Sequence, residues 1–309
     1  MGAIYRSQFE RDVAAPPPHE LTLRDLDIVH DVYRHGYLDS RQITTLHGSA
    51  ESNHKRIGNR LNKLFHHGYL RRPVVSLRTP RTYSMTHKGG SLLKASRRIL
   101  EAKRYDTRRP SRLYLDHQLG ISDFMLNVEL TCRAAGNVRL IHEDEIFERA
   151  SPQAKRHRGW PVCINWRGQM ITTWVIPDRI FGLEFVDKPQ GGNRRYFALE
   201  YDRGTMPIER SNPYQTCYMK KLVGYAHTYA DELHKKHLGV PYFYTLTVTT
   251  SAARSTAIVE KSARHTRSLA PLSAFLYASQ PRAPSLGRFQ NVLEMQWQTA
   301  ASKTVTLPS

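Results

Sequence analysis

Acidic residues are scarce in this chain of 309 residues: 27 Asp and Glu stand against 46 Lys and Arg, a formal net charge of +19 at pH 7. Such an imbalance does not dictate a fold, but it favours an anionic partner, nucleic acid first and an acidic lipid surface second. Long apolar runs are also missing. No stretch approaches the ~18 residues that a membrane-spanning helix needs. The opening MGAIYRSQFERDVAAPPPHE contains no apolar segment of the kind a secretory signal requires. Gly2 does not begin a myristoylation pattern, because Arg6 stands where Ser or Thr is needed. Cys132, Cys163 and Cys217 are the only cysteines, and none belongs to a CxxC pair. A disulfide framework and a cysteine zinc site are therefore not expected, and a reducing cytoplasmic setting is. HExxH is absent, and His234 and His237 in HKKH read as a solvated helix end rather than a ligand pair.

What is present is unevenly distributed. The length suggests two domains, and 40% hydrophobic residues supply material for real cores. Residues 49–112 hold 17 Lys/Arg and 3 Asp/Glu, a net of +14, which leaves about +5 for the rest of the chain. That concentration exceeds what solubility asks for and suits sequence-independent attraction to phosphate.

Around this basic region the apolar spacing is helical. Leu23, Leu26, Ile28, Val29 and Val32 predict a first helix, with Thr22 as its cap and Gly36 as its stop. A short helix follows between a Ser40 cap and Gly48. Ile57, Leu61 and Leu64 at i, i+4 and i+7 give a third helix one buried stripe, with Asn53, Arg56, Asn59, Arg60 and Lys63 largely off it. YLRRPVV and TYSMTHKG then read as two strands around a turn tipped by Arg78 and Arg81. Three helices and a basic hairpin resemble a winged helix-turn-helix over residues 20–90. In that arrangement a helix enters the major groove and the wing contacts backbone. Arg56 and Arg60 are the candidates for base edges; Lys55, Lys63, Arg78 and Arg81 suit phosphate, with Asn53 and Asn59 beside them. Winged helices also dock proteins, so an interaction module is the alternative. Residues 91–112 read as a basic helical connector.

The second half predicts a helix over 115–136, a strand at VRLI, a β-hairpin over residues 169–202 turning at KPQGGN, a long helix from residue 212, the strand VPYFYTLTVTT, a further helix and a last strand near APLSAFLYAS. The order implies an α/β (α+β) domain with a mixed sheet over 113–280. Residues 1–19, with APPP, are expected to be disordered, and residues 281–309 to form a tail.

The stretch LEYDRGT carries Glu200 and Asp202, two residues apart and so on one face of a strand. If the hairpin turns near residue 191, Asp178 on the other arm lies opposite the region just beyond Asp202, and three carboxylates converge. Clustered carboxylates repel unless protonated or metal-bound, and Mg²⁺ accepts such ligands together with water and phosphate oxygens. The bland alternative is an amphipathic strand with outward-facing acids. PD at 177–178 and ExD at 200–202 resemble the PD-(D/E)xK nuclease fold. The full layout, a winged helix followed by PD, LEYDRGT and KKLVGY, resembles the replication-relaxation family of plasmid and mobile-element proteins.

That resemblance implies a metal-site role for Asp178 and Glu200, with Asp202 standing where the fold expects a lysine. Lys220 or Lys221 on the next helix can replace that ammonium, and Lys221 shares a helix face with Tyr225. The catalytic set expected of an active nuclease is therefore Asp178, Glu200, Asp202 and Lys221, with Mg²⁺ held by the three carboxylates. The resemblance implies a protein that binds double-stranded DNA in replication, relaxation or mobilisation, partnered by relaxosome or replication proteins and able to form a homodimer, its nuclease-like domain degenerate. An Mg²⁺-dependent endonuclease and a protein adaptor in a DNA-transfer complex are the two alternatives.

Overall fold

In the computed structural model the described residues are 11–12, 16–48, 53–73, 80–99, 110–212, 214–281 and 283–308. The chain divides into two compact units, one of residues 1–126 with 283–289, the other of residues 127–282 with 290–309.

The first unit begins with α1 (Leu23–His35). Thr22 and Asp25 form a capping box: the Thr22 hydroxyl accepts from the Asp25 amide, and the Asp25 carboxylate accepts from the Thr22 amide at 2.8 Å. Ile28, Val29 and Val32 are buried as the spacing predicts, but Leu23 projects into solvent from the first turn. After Gly36 come β1 (Tyr37–Asp39) and α2 (Ser40–His47). The cap of α2 is Asp39 rather than Ser40: its carboxylate accepts from the Gln42 amide at 2.7 Å. Then follow α3 (Asn53–His66), β2 (Leu70–Arg71), β3 (Thr82–Met85) and α4 (His87–Ala95). Ile57, Leu61 and Leu64 are fully buried. The antiparallel order β1–β3–β2 places the last strand between the other two. The turn that carries Arg78, and residues 100–109 of the expected connector, lie outside the described residues. Part of the expected N-terminal disorder is ordered packing: Arg11 donates to the Leu70 carbonyl at 2.9 Å, and the Pro17 carbonyl meets the His67 ring.

Helix α5 (Arg112–Ala135) runs through the division between the units. The second unit continues with β4 (Val138–Ile141), α6 (Glu143–Glu148), α7 (Pro152–His157), β5 (Trp160–Trp166), β6 (Gln169–Val175), β7 (Arg179–Phe185), β8 (Arg194–Asp202), α8 (Tyr218–Ala230), α9 (Leu233–Leu238), β9 (Tyr244–Thr249), α10 (Ala252–Thr266), β10 (Phe275–Ser279), β11 (Trp297–Thr299) and β12 (Thr304–Val305). Seven strands form one mixed sheet in the order β12–β11–β10–β9–β8–β7–β4. Strands β4, β7 and β8 are antiparallel, β8, β9 and β10 parallel. The mixed α/β architecture is thus as expected. Residues beyond 280 differ from a simple tail, since β11 and β12 extend the sheet and Trp297 is fully buried.

The expected hairpin arm around residues 169–181 is in fact two strands. Strand β6 pairs with β5 in a separate two-stranded ribbon, and β7 starts only after Pro177. A proline has no amide to give a ladder, so it marks the break. Strand β5 alternates inward Trp160, Val162, Ile164 and Trp166 with outward residues, and the inward row joins the core over α8 and α10. The same core includes Ile180 of β7 and Ala198 of β8, while Phe181 and Phe197 stack on the opposite face of the sheet.

Gly159 allows the ribbon to close. A Cβ there would lie 2.3 Å from the Val175 carbonyl oxygen, a backbone atom that cannot swing aside. Gly159→Ala is expected to destabilise the second unit by about 1–3 kcal/mol, read as a lower thermal midpoint of the full chain.

Candidate functional site

The pairing of β7 with β8 runs from Arg179 opposite Leu199 to Glu184 opposite Arg194. The hairpin therefore centres near residue 189, not 191. Two successive tight turns set this register: Lys188 N donates to Phe185 O at 3.1 Å, and Gly192 N to Pro189 O at 3.4 Å. Asp178 consequently sits across from Glu200 instead of beyond Asp202. Its amide donates to Leu199 O at 3.0 Å, and its carboxylate accepts from the Tyr201 amide at 2.8 Å.

Glu200 is the centre of this region and is only 2% exposed. Helix α8 lies over its face of the sheet. Lys221 donates its ammonium to one carboxylate oxygen of Glu200, and the Tyr225 hydroxyl donates to the other at 2.5 Å. One turn earlier, Tyr218 meets the hydroxyl of Thr247 at 2.7 Å, and Thr247 is the register partner of Glu200 on β9. Tyr218, Lys221 and Tyr225 fall at i, i+3 and i+7 and so share one helix face. Lys220, the other candidate ammonium, points to the Gln215 carbonyl.

The electrostatics follow from burial. Desolvation pushes the Glu200 carboxyl up to about 8, Lys221 pulls it back and nearby Asp178 adds to the rise. Burial works against the Lys221 ammonium, but Glu200 and Asp178 outweigh it and hold its pKa above the usual lysine value. Burial, followed by the negative charge of Glu200, drives the Tyr218 and Tyr225 phenols well above the usual range. Both tyrosines serve here as hydrogen-bonding and packing groups.

Asp202 shares the face of Glu200 but has a different partner. Arg254 of α10 holds it with two bonds, Nε to Oδ2 at 2.6 Å and Nη2 to Oδ1 at 3.3 Å, and the Gly204 amide donates to Oδ1 at 3.1 Å. Arg254 went unread in the sequence because it lies 52 residues away, on another helix. The structure thus brings Asp178, Glu200 and Lys221 together and ties Asp202 to a separate cation. These residues do not fit a bound divalent ion. Both oxygens of Glu200 and both of Asp202 already accept hydrogen bonds, and two of the donors are cationic side chains. Among the described residues no group of three His, Cys, Asp or Glu side chains is placed to hold a metal ion. His234 and His237 are buried structural groups, not a solvated end: the His234 ring bridges the Thr228 and Pro241 carbonyls, and His237 meets the Ser151 hydroxyl.

In the first unit, α3 leaves Lys55, Arg56, Gly58 and Asn59 exposed. Lys63 is half-buried, Arg81 is exposed just before β3, and Asn53 opens the helix, its side chain outside the described residues. Arg60, expected at base edges, is instead committed to the fold. It pairs at 2.6 Å with Asp25, which is 0% exposed and already serves the α1 cap. Gly58 was overlooked. It sits mid-helix with nothing within 4 Å of a Cβ built there, so no contact inside the protein demands a glycine.

A family model described as replication-relaxation matches residues 29–242. No curated protein and no solved structure matches the chain.

Above about pH 8, where Glu200 is ionised in the fold, removing the Lys221 ammonium leaves a buried carboxylate without its main counter-charge. Lys221→Met is expected to cost about 3 kcal/mol there, the lower end of the range for buried pairs because the lysine keeps some solvent contact. Lys221→Met/Glu200→Gln should recover much of that loss in denaturant unfolding. The pH dependence has a definite sign. Glu200 titrates near 4.5 when ordinary and near 8 in the fold, so the folded state holds a proton through that window. Its contribution is complete below about pH 4.5 and declines as pH rises towards 8. Wild type should therefore lose stability relative to Glu200→Gln over that interval, and a flat difference would contradict the assignment.

Proposed function

The chain belongs to the replication-relaxation family, and from that premise we propose that it is a DNA-binding accessory protein of plasmid or mobile-element replication or relaxation. In this reading the first unit is a winged helix-turn-helix whose α3 meets double-stranded DNA, and the second unit is a nuclease-like domain that does not cut. The observation that carries the first half is the solvent face of α3. Lys55 and Arg56 are exposed and belong to no ion pair among the described residues, within a stretch of net charge +14. Helix, strand, helix, helix, strand, strand is the element order such a domain uses, and Arg81 lies at the base of its wing. Gly58 supports the same reading: an exposed mid-helix glycine costs about 1 kcal/mol relative to alanine, a cost explained if a duplex approaches the helix backbone there.

The second half rests on the cations around the carboxylates. The nuclease alternative needs Asp178, Glu200 and Asp202 free to bind Mg²⁺ beside Lys221, whereas Lys221 and Arg254 are spent on neutralising Glu200 and Asp202. The adaptor alternative has no comparable support, because an unpaired basic helix face is poorly matched to an apolar protein interface.

Supercoiled plasmid incubated with the protein and Mg²⁺ is expected to stay supercoiled. Mg²⁺-dependent nicking that disappears in Glu200→Ala would replace this reading with the endonuclease. In fluorescence anisotropy with a duplex at several salt concentrations, Lys55→Ala and Arg56→Ala should each weaken binding and reduce the slope of log affinity against log salt by roughly 0.9 per lost phosphate contact. Gly58→Ala should raise stability by about 1 kcal/mol and yet weaken duplex binding. An absence of duplex binding at moderate salt in the wild type would favour the adaptor.

A further inference from the structure

The ribbon β5–β6 presents an outward face that the core does not use. Along β6, Met170, Thr172 and Trp174 point outward, followed by Ile176; Met170 is 67%, Trp174 39% and Ile176 47% exposed. Across the ladder Pro161 pairs with Trp174, Cys163 with Thr172 and Asn165 with Met170. The outer surface is therefore a short uncharged strip in which Met170, Trp174 and Ile176 are the large apolar groups. Trp160, Trp166 and Trp297 are buried, which leaves Trp174 as the exposed indole of the protein.

Cations border this strip, and its own segment of chain contributes no acid. From residue 150 to residue 177 the chain carries four Lys/Arg and no Asp or Glu. Arg158 is neutralised by Glu143, but Lys155, Arg156 and Arg167 are exposed and belong to no ion pair among the described residues. The His157 ring lies 4.7 Å from the Trp174 ring, centroid to centroid, which puts the basic end of α7 beside the indole. Arg167 stands at the opposite end of the ribbon, in its turn.

An exposed aromatic face rimmed by unpaired cations fits a ligand with flat apolar faces and regularly spaced negative charge. We propose that this ribbon is a binding site for single-stranded DNA, with a base stacked on Trp174 and neighbouring phosphates near Lys155 and Arg156. A duplex hides its base faces in its own stack, so Trp174 selects the unpaired strand. The site lies wholly in the second unit and does not depend on whether α3 binds duplex.

Tryptophan emission of the full chain titrated with oligo(dT) tests the assignment, since Trp174 is the indole a base can reach. Emission is expected to be quenched on binding, and much less by an equal length of duplex. Trp174→Ala should abolish the quenching and weaken oligo(dT) affinity on the order of tenfold, with the thermal midpoint unchanged because the side chain is outside the core. Trp174→Phe, which still stacks, should retain most of the affinity. Lys155→Ala/Arg156→Ala should flatten the salt dependence, whereas Lys55→Ala/Arg56→Ala should leave the quenching intact. Unchanged oligo(dT) binding in Trp174→Ala would overturn the proposal. So would equal quenching by duplex, a preference for oligo(U) over oligo(dT), or self-association that Trp174→Ala abolishes.

Discussion

A carboxylate buried in the middle of a sheet has to be neutralised where it stands, and Glu200 sets that demand for the second unit. The solvation it gives up must be returned by donors of fixed geometry. Helix α8 supplies them from one face, with Lys221 and Tyr225 on Glu200 and Tyr218 on Thr247 of the adjoining strand. The helix can reach only if it starts at the right height. The first amides of α8 are anchored on the loop that leaves β8: Tyr218 N donates to Pro207 O at 3.0 Å and Met219 N to Ile208 O at 2.9 Å. Two residues further along β8, Asp202 makes the same demand on α10 and is answered by Arg254. One strand thus positions two helices through two ion pairs, and the apolar core that includes Leu222, Ile258 and Tyr225 fills the space between them.

This arrangement bears on the chemistries that the carboxylates suggest. An added divalent ion at Asp178 and Glu200 would meet the Lys221 ammonium at the same oxygens, and like charges in a low-dielectric site repel strongly. Lys221 would have to leave, and Tyr225 would have to surrender its acceptor. The antiparallel β4–β7–β8 segment followed by α8 and a parallel β9 gives Asp178 and Glu200 the adjacency a metal site wants. The side chains around them use that adjacency for cohesion instead.

Local periodicity carried the parts of the structure that depend on local periodicity. Ile57, Leu61 and Leu64 are a helix stripe in sequence and in space, and the alternation around Leu199 places Glu200 opposite Leu199's face in both. Lys221 and Tyr225 were legible as one helix face for the same reason. Hairpin register was not, because two short turns within VDKPQGGN compete and the inner hydrogen bonds, not the glycines, choose between them. The ribbon β5–β6 was overlooked although Trp160, Val162, Ile164 and Trp166 alternate cleanly before an Arg-Gly turn. Partners distant in sequence leave no periodic trace at all: Arg60 reaches Asp25 across 35 residues and Arg254 reaches Asp202 across 52.

The formal charge of +19 hides a sorting that only the structure makes visible. Arg60, Arg139, Arg158, Arg179, Arg194, Lys221 and Arg254 all end on carboxylates, so their charge is consumed within the protein. Lys55, Arg56, Lys155, Arg156 and Arg167 are exposed and end on none among the described residues. Side-chain type does not separate the two groups; the presence of a nearby acid does. Net charge alone therefore overstates how much of the molecule faces phosphate, and the useful quantity is the charge left after internal pairing. Part of that remainder lies on α3 and part around the ribbon, beside an unexplained glycine in one case and an exposed indole in the other. Folding requires neither feature where it stands, which makes an external ligand the economical reason for both.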